Sequence, residues 1–324
     1  MSNLAPVDRL EVLVLVDNLT DSLSSNPKNV IPEWTGLLTG GRMRVLSGAG
    51  TCCAHHGLSL LVTAHAGGGK RTLLFDTGPD AATFLRNAAI LGVDFGAVEA
   101  VVLSHGHWDH AGGLLAAVEA ITKARGAGVP CYVHPGMFAQ RGARRPTGET
   151  VVYELIPQPA ELERAGARVV STREPQLVAG AFHLSGEIPR RTAYEKGFPG
   201  HQRRGADGES WEPDPLIMDE RFVSVHVEGR GQMVFSACSH AGIVNVLDHA
   251  RETFPETPLY GAMGGLHLSG NTEGIIPDTV GDLAKFGLRL LAPGHCTGWR
   301  ALAALARAFG EQLVPSAVGK RYLI

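Results

Sequence analysis

The run from Val98 to Gly113 constrains this chain more than any other. A short apolar stretch, Val101 to Leu103, leads into His105, His107, Asp109 and His110, four polar groups within six positions. Side chains alternate along an extended chain, so His105 and His107 leave on one side. Asp109 and His110 return from the turn that follows. Imidazole nitrogen and carboxylate oxygen are the ligands that Zn²⁺, Mn²⁺ or Fe accept, and burying such a cluster without a cation is costly. Only 14 of 324 residues are histidine, so three within six positions are not explained by a chance polar loop. The spacing predicts a metal site at the end of a strand.

The rest of the chain alternates strands and helices. Leu10 to Asp17 reads as a strand by its β-branched alternation. Residues 58–66 and 71–76 read as two more, joined through Gly67-Gly68-Gly69-Lys70. Pro79 to Leu91 predicts a helix with proline in its first turn, and Ala111 to Arg125 a second, with Leu114, Leu115, Val118 and Ile121 facing a core. Pro130 to His134 is a short strand, and Phe222–Val227 and Gln232–Ser236 form a hairpin. Residues 186–219 are poor in aliphatics and carry Arg190, Arg191, Lys196, His201, Arg203 and Arg204. A loop of that length inside a compact domain predicts a lid.

The second half echoes the first. Met233 to Ser236 leads into Cys238-Ser239-His240-Ala241-Gly242 and a helix carrying Ile243, Val246, Leu247, Ala250 and Phe254, much as the first strand leads into His110-Ala111-Gly112. Each histidine stands at a helix start, where the dipole disfavours imidazolium and keeps the ring neutral for a metal. Two such βα-rich halves facing each other make a four-layer αββα sandwich, read as one domain over 1–324 with the polar insertion at about 186–219.

His-x-His-x-Asp-His after a strand, Leu74-Phe75-Asp76-Thr77-Gly78 upstream and Pro293-Gly294-His295 downstream resemble the metallo-β-lactamase-fold superfamily. Within it, five strings are similar to the branch of 7,8-dihydropterin-6-methyl-4-(β-D-ribofuranosyl)-aminobenzene-5'-phosphate synthase. They are His56-Gly57-Leu58-Ser59, Gly186-Glu187-Ile188-Pro189-Arg190, Cys238-Ser239-His240-Ala241-Gly242, Gly264-Gly265-Leu266-His267 and Gly294-His295-Cys296-Thr297-Gly298. The resemblance implies the same αββα architecture and one or two divalent transition metals per chain, zinc first, with Mn and Fe equally suited to the donors. It implies His105 and His107 on one metal, and Asp109, His110 and His295 on the other.

Two of the family's usual ligands are missing. The mid-chain Pro-Gly-His-Thr string is replaced by Ser185-Gly186-Glu187-Ile188, and the bridging aspartate by Ser236-Ala237-Cys238. His240 is the expected replacement, with Cys238 and Glu187 as further candidates. Asp76 is expected to orient a ligand or a metal-bound water. Asp109 and His267 are the expected catalytic groups; His267 is read as general acid, substrate contact or ligand. Arg190 and Arg191 are expected to clamp an anion, because guanidinium matches phosphate or carboxylate bidentately, and His56 to line the pocket.

Three activities are compatible with these residues. The first is a hydrolase using a metal-activated water on an ester, amide or phosphoester of a small anionic substrate. The second, implied by the resemblance to the synthase branch, is a transferase joining a pterin to a phosphoribosyl aromatic amine, and the third is a non-catalytic metal- or ligand-binding protein. A net charge of −3 lacks the basic footprint of a nucleic-acid binder. No apolar run approaches a membrane span. Five cysteines without regular spacing, and a start without a basic-then-apolar pattern, predict a reducing cytoplasm. A small-molecule partner is expected, and no sign of an oligomer is legible.

Overall fold

The computed structural model describes residues 4–324. Alternation in the first long strand, Arg9–Val16, sets up the layers. Leu10, Val12 and Val14 enter an apolar layer between two facing sheets, while Leu13 and Leu15 enter a second layer beneath helices. The first sheet has eight strands, in the order Val30–Ile31, Arg321–Leu323, Arg9–Val16, Ser59–Ala66, Gly69–Phe75, Val98–Val102, Val129–Val133 and Ala167–Ser171. The second has six: Gln176–Val178, Phe182–Leu184, Val223–Val227, Gly231–Ser236, Leu259–Gly265 and Leu290–Gly294. Helices Ala81–Leu91 and Leu114–Arg125 cover the first through Phe84, Leu91, Leu114, Val118 and Ile121. Helices Ile243–Thr253, Ile276–Leu283 and Trp299–Phe309 cover the second through Val246, Leu247, Leu283 and Leu305. This is the expected αββα sandwich.

Strand direction places the site. Gly69–Phe75, Val98–Val102 and Val129–Val133 run parallel, as do Gly231–Ser236, Leu259–Gly265 and Leu290–Gly294. Parallel strands end on one edge of their sheet, where open α/β sheets bind ligands. Asp76, His105, Cys238, His267 and His295 all follow such ends.

Two helix starts differ from expectation. The first helix begins at Ala81, after Pro79, because Asp80 caps it by accepting from Thr83 N at 2.7 Å. The second begins at Leu114, because the chain at Gly112 lies against the 79–80 backbone; a Cβ there would fall 1.7 Å from Pro79 O. A four-residue helix, Trp108–Ala111, precedes it and carries Asp109 and His110.

The insertion is ordered by strand pairing. His201–Arg204 pairs with Trp211–Pro213 on one side and with Arg141–Arg144 on the other, and Arg141–Arg144 pairs with Thr150–Val152. A polar segment with few aliphatics is held by ladder hydrogen bonds and by Arg204 lying 4.2 Å over the Trp211 ring. Half of this small sheet therefore comes from residues 141–152, outside the predicted lid.

Candidate metal centre

The first half of the site hangs on Asp76. This buried carboxylate accepts from Ser104 N and from Ser104 Oγ–H, both at 2.7 Å, and from His110 Nδ1–H at 2.7 Å. Its φ of 56°, unusual for a side-chain-bearing residue, turns it back toward the site. Ser239, His267 and His295 share that conformation, with φ of 56°, 45° and 47°. The strain gathers where the strand ends converge.

Hydrogen-bond direction fixes the histidine tautomers from outside inward. Ser104 gives its only proton to Asp76, so the contact of 2.9 Å to His105 is His105 Nδ1–H donating to Ser104 Oγ. His201 Nδ1–H donates to Asp214 O at 2.7 Å, leaving Nε2 to accept from His107 Nε2–H at 2.9 Å. His105 Nε2 and His107 Nδ1 then face each other as lone pairs, 3.0 Å apart. Beside them His240 is buried with no hydrogen-bond partner on either ring nitrogen.

A second group sits against the first. His295 Nδ1–H donates to Asn18 Oδ1 at 3.0 Å, so its buried Nε2 turns inward, 3.4 Å from Asp109 Oδ2. The same carboxylate oxygen lies 3.7 Å from His110 Nε2 and 3.3 Å from His56 Nε2. Cys238 Sγ is 3.2 Å from His110 Nε2 and 3.4 Å from Cys296 Sγ. Ligand atoms of His105, His107 and His240 lie within 4.8 Å of one another, as do those of His105, His110 and Cys238.

Charge states match the donor chemistry at His105, His107, His240 and Asp109, whereas His110, expected to be kept neutral by its helix start, is shifted the other way. Burial first, then neighbouring histidines, hold His105, His107 and His240 far below the ordinary imidazole range, and Arg141 adds to the shift of His105 and His107. Burial would raise the Asp109 carboxyl, but His110, His295 and His56 hold it well below its usual value. Neutral imidazoles and an ionised carboxylate are the forms that bind a cation. Burial would also lower His110, yet Asp109 and Asp76 hold it above its usual value; this pole draws positive charge.

Four supports lay outside the sequence reading. Asp17 Oδ1 accepts from His295 N at 2.9 Å, and Asn18 Nδ2–H donates to His56 Nδ1 at 2.9 Å. Asp219 Oδ2 accepts from Gly106 N at 2.9 Å, and Glu220 accepts from His240 N at 2.8 Å and Ala241 N at 2.6 Å. Adjacent buried carboxylates thus tie the loops of both halves. Asp17 and Asn18 had a legible signal, polar residues directly after an apolar strand. Asp219 and Glu220 had none.

A cavity of about 390 Å³ opens over these groups, with His56 at its rim and His267, Trp108, Tyr153 and Phe198 on its walls. Phe198 stacks on His240 at 5.9 Å, and His267 lies 4.4 Å from His240 between ring centroids. None of the lining residues is Lys or Arg, which corrects the expected anion clamp. Arg190 points instead into the neck of the insertion, donating to the carbonyls of Ile188, Leu216 and Ile217, with Glu220 and Asp219 as its countercharges. Arg191 pairs on the surface with Glu252. Glu187 is also outside the site: it pairs with His134 at 3.1 Å and Arg173 at 3.0 Å in a separate cleft.

The profile of the Metallo-beta-lactamase superfamily matches residues 54–234. The chain belongs to that superfamily. It is 29% identical over 270 residues to the 7,8-dihydropterin-6-methyl-4-(beta-D-ribofuranosyl)-aminobenzene-5'-phosphate synthase of Methanocaldococcus jannaschii, a match covering 82% of this chain and 89% of the relative. An uncharacterised protein of the same organism is 26% identical over 256 residues, covering 78% and 88%. Among solved structures, a metal-dependent hydrolase of the beta-lactamase superfamily superposes with a TM-score of 0.71 at 23% identity, covering 96% of this chain and 98% of that one. The Bacillus subtilis metallo-beta-lactamase fold protein YhfI gives 0.52 at 13% identity, covering 98% and 100%. Both establish the shared fold. No helix among the described residues is long and apolar enough to cross a membrane.

Proposed function

We propose that this superfamily member is a metal-dependent hydrolase of a small ester, amide or phosphoester. In this reading His105, His107 and His240 hold one divalent cation, and Asp109, His110 and His295, with Cys238 beside them, hold a second. The carrying observation is the opposed lone pairs of His105 Nε2 and His107 Nδ1, 3.0 Å apart, next to the unpartnered nitrogens of His240. Buried lone pairs so placed repel, and a cation turns that repulsion into coordination. Zinc suits the mixed nitrogen, oxygen and sulfur donors, and Mn²⁺ or Fe²⁺ accept most of them.

A bound cation would supply Lewis acidity, activating a water and polarising the substrate oxygen. The chain does the rest. Asp109 Oδ2, within 3.3–3.7 Å of three imidazoles, orients the attacking water. His267, on the cavity wall with a buried unpartnered Nδ1, passes a proton to the leaving atom. Trp108, Tyr153 and Phe198 hold a flat or apolar part of the substrate. The chain acts as one domain, with the insertion roofing the cavity.

The 29% identity to a synthase favours a second reading. Here the same centre moves a dihydropterin-6-methyl group from its diphosphate ester to the amine of a ribofuranosyl-aminobenzene phosphate, the C–O bond to diphosphate breaking as the C–N bond forms and the amine losing a proton; water is the competing acceptor. Assays of generic esters and phosphoesters, run beside the transfer reaction, decide between the two. Each is measured before chelation, after it, and after zinc is restored. Cation-dependent hydrolysis supports the first reading; transfer without hydrolysis supports the second. Absence of bound metal, with activity untouched by chelation, overturns both.

A further inference from the structure

We infer that His201, carried by the insertion, is a positioning residue: it fixes the proton on His107 and so couples closure of the insertion to cation binding. The inference rests on the proposed cation at His105 and His107. His201 belongs to the strand His201–Arg204, remote in sequence from the histidine cluster, yet its buried Nε2 lies 2.9 Å from His107 Nε2. Its other nitrogen donates to Asp214 O at 2.7 Å, within the same insertion. That anchor leaves Nε2 only an acceptor's role. His107 must therefore carry its proton on Nε2, which frees Nδ1 as the lone pair opposite His105.

A histidine that ligates a metal commonly donates its remaining N–H to a carboxylate or carbonyl, and losing that partner costs about 10- to 100-fold in affinity. Here the partner belongs to the insertion, on a strand that pairs with Arg141–Arg144 and not with the sheets that carry His105 and His107. Only with the insertion seated can His201 accept from His107. Phe198, also on the insertion, then stacks 5.9 Å over His240, so both edges of the nitrogen cluster are completed by the same segment. Arg203, on the same strand as His201, is exposed. Linkage is reciprocal: whatever the closed insertion adds to cation affinity, the cation returns to closure.

Three proteins test this: wild type, His201→Leu and His201→Gln, the last keeping an acceptor oxygen. Zinc affinity is measured by competition with a chromophoric chelator, and unfolding in excess chelator confirms that each variant is folded. Should His201→Leu fail to fold, His201→Met takes its place as the apolar variant. Tryptic cleavage after Arg203, with and without zinc, reads closure. The expected result is a loss of about 10- to 100-fold for the apolar variant, near-wild-type affinity for His201→Gln, and zinc protection of Arg203 that the apolar variant loses. Equal affinity in the apolar variant and wild type overturns the inference and leaves the cation site standing. So does a His201→Gln as weak as the apolar variant, or a wild type whose Arg203 zinc does not protect. A wild type that binds no zinc removes the inference and the proposed function together.

Discussion

Glu220 offers the sharpest check on how the His240 loop is held. Its carboxylate is fully buried and accepts from the backbone of His240 at 2.8 Å and Ala241 at 2.6 Å. Burial pushes the carboxyl up, and Arg190 and the two N–H groups oppose that push. Glu220→Gln keeps the shape and one acceptor but turns an amide NH₂ toward one of the two N–H groups. One charge-assisted hydrogen bond is lost and a buried donor is left unpaired, a cost of about 2–4 kcal/mol. Against a total stability of about 5–15 kcal/mol the variant stays folded, so its site can be measured. The stability readout is urea unfolding in excess chelator, where the midpoint falls at an unchanged slope. Because one tethered amide belongs to His240, zinc affinity falls as well, by about 10-fold or more. Glu228→Gln, an exposed carboxyl without a side-chain partner, is the control and stays within about 0.5 kcal/mol. A chelator-treated Glu220→Gln protein equally close to wild type refutes the clamp.

Other outcomes follow from the same geometry. Protein never exposed to chelator should carry a transition metal by elemental analysis, and His105→Ala with His107→Ala should abolish it; less than about a tenth of an equivalent in wild type removes the cation reading. Arg190→Ala should lower the unfolding midpoint, because three carbonyls at the insertion's neck lose their donor, while Arg191→Ala should leave stability within about 0.5 kcal/mol. A substrate Michaelis constant raised severalfold by Arg191→Ala would restore the anion clamp. His183, buried with an unpartnered Nδ1, is pushed down to about 4 by burial, with His249 adding to the shift. The folded state thus favours neutral His183. Its stabilisation is full above the unfolded value of about 6.5 and is lost as pH falls toward 4, about 3 kcal/mol in all. His183→Gln should flatten that part of the pH–stability curve in urea titrations, and an unchanged slope counts against it.

The sequence by itself determined the layers and one wall of the site. Alternation in Arg9–Val16 already separates Val12 and Val14 from Leu13 and Leu15, because a strand's period of two is a local property. The packed spacing of His105, His107, Asp109 and His110 was legible for the same reason: neighbours in the chain are neighbours in space. His240 and His295 were found through strand-then-histidine patterns, again local. What lay beyond reach were cross-fold partners with no local pattern to mark them. Asp219 meets Gly106 across 113 positions and His201 meets His107 across 94, and no local periodicity encodes either meeting. The arginines show the reverse error. Arg190 and Arg191 are adjacent and alike in sequence, yet one is drawn into the neck by Glu220 and Asp219 and the other outward by Glu252. Composition marked that loop as cationic, but only the tertiary structure decided which carboxylates its charges would meet. A buried charge must be paired where it lies, and where it lies is set by the packing of the whole chain.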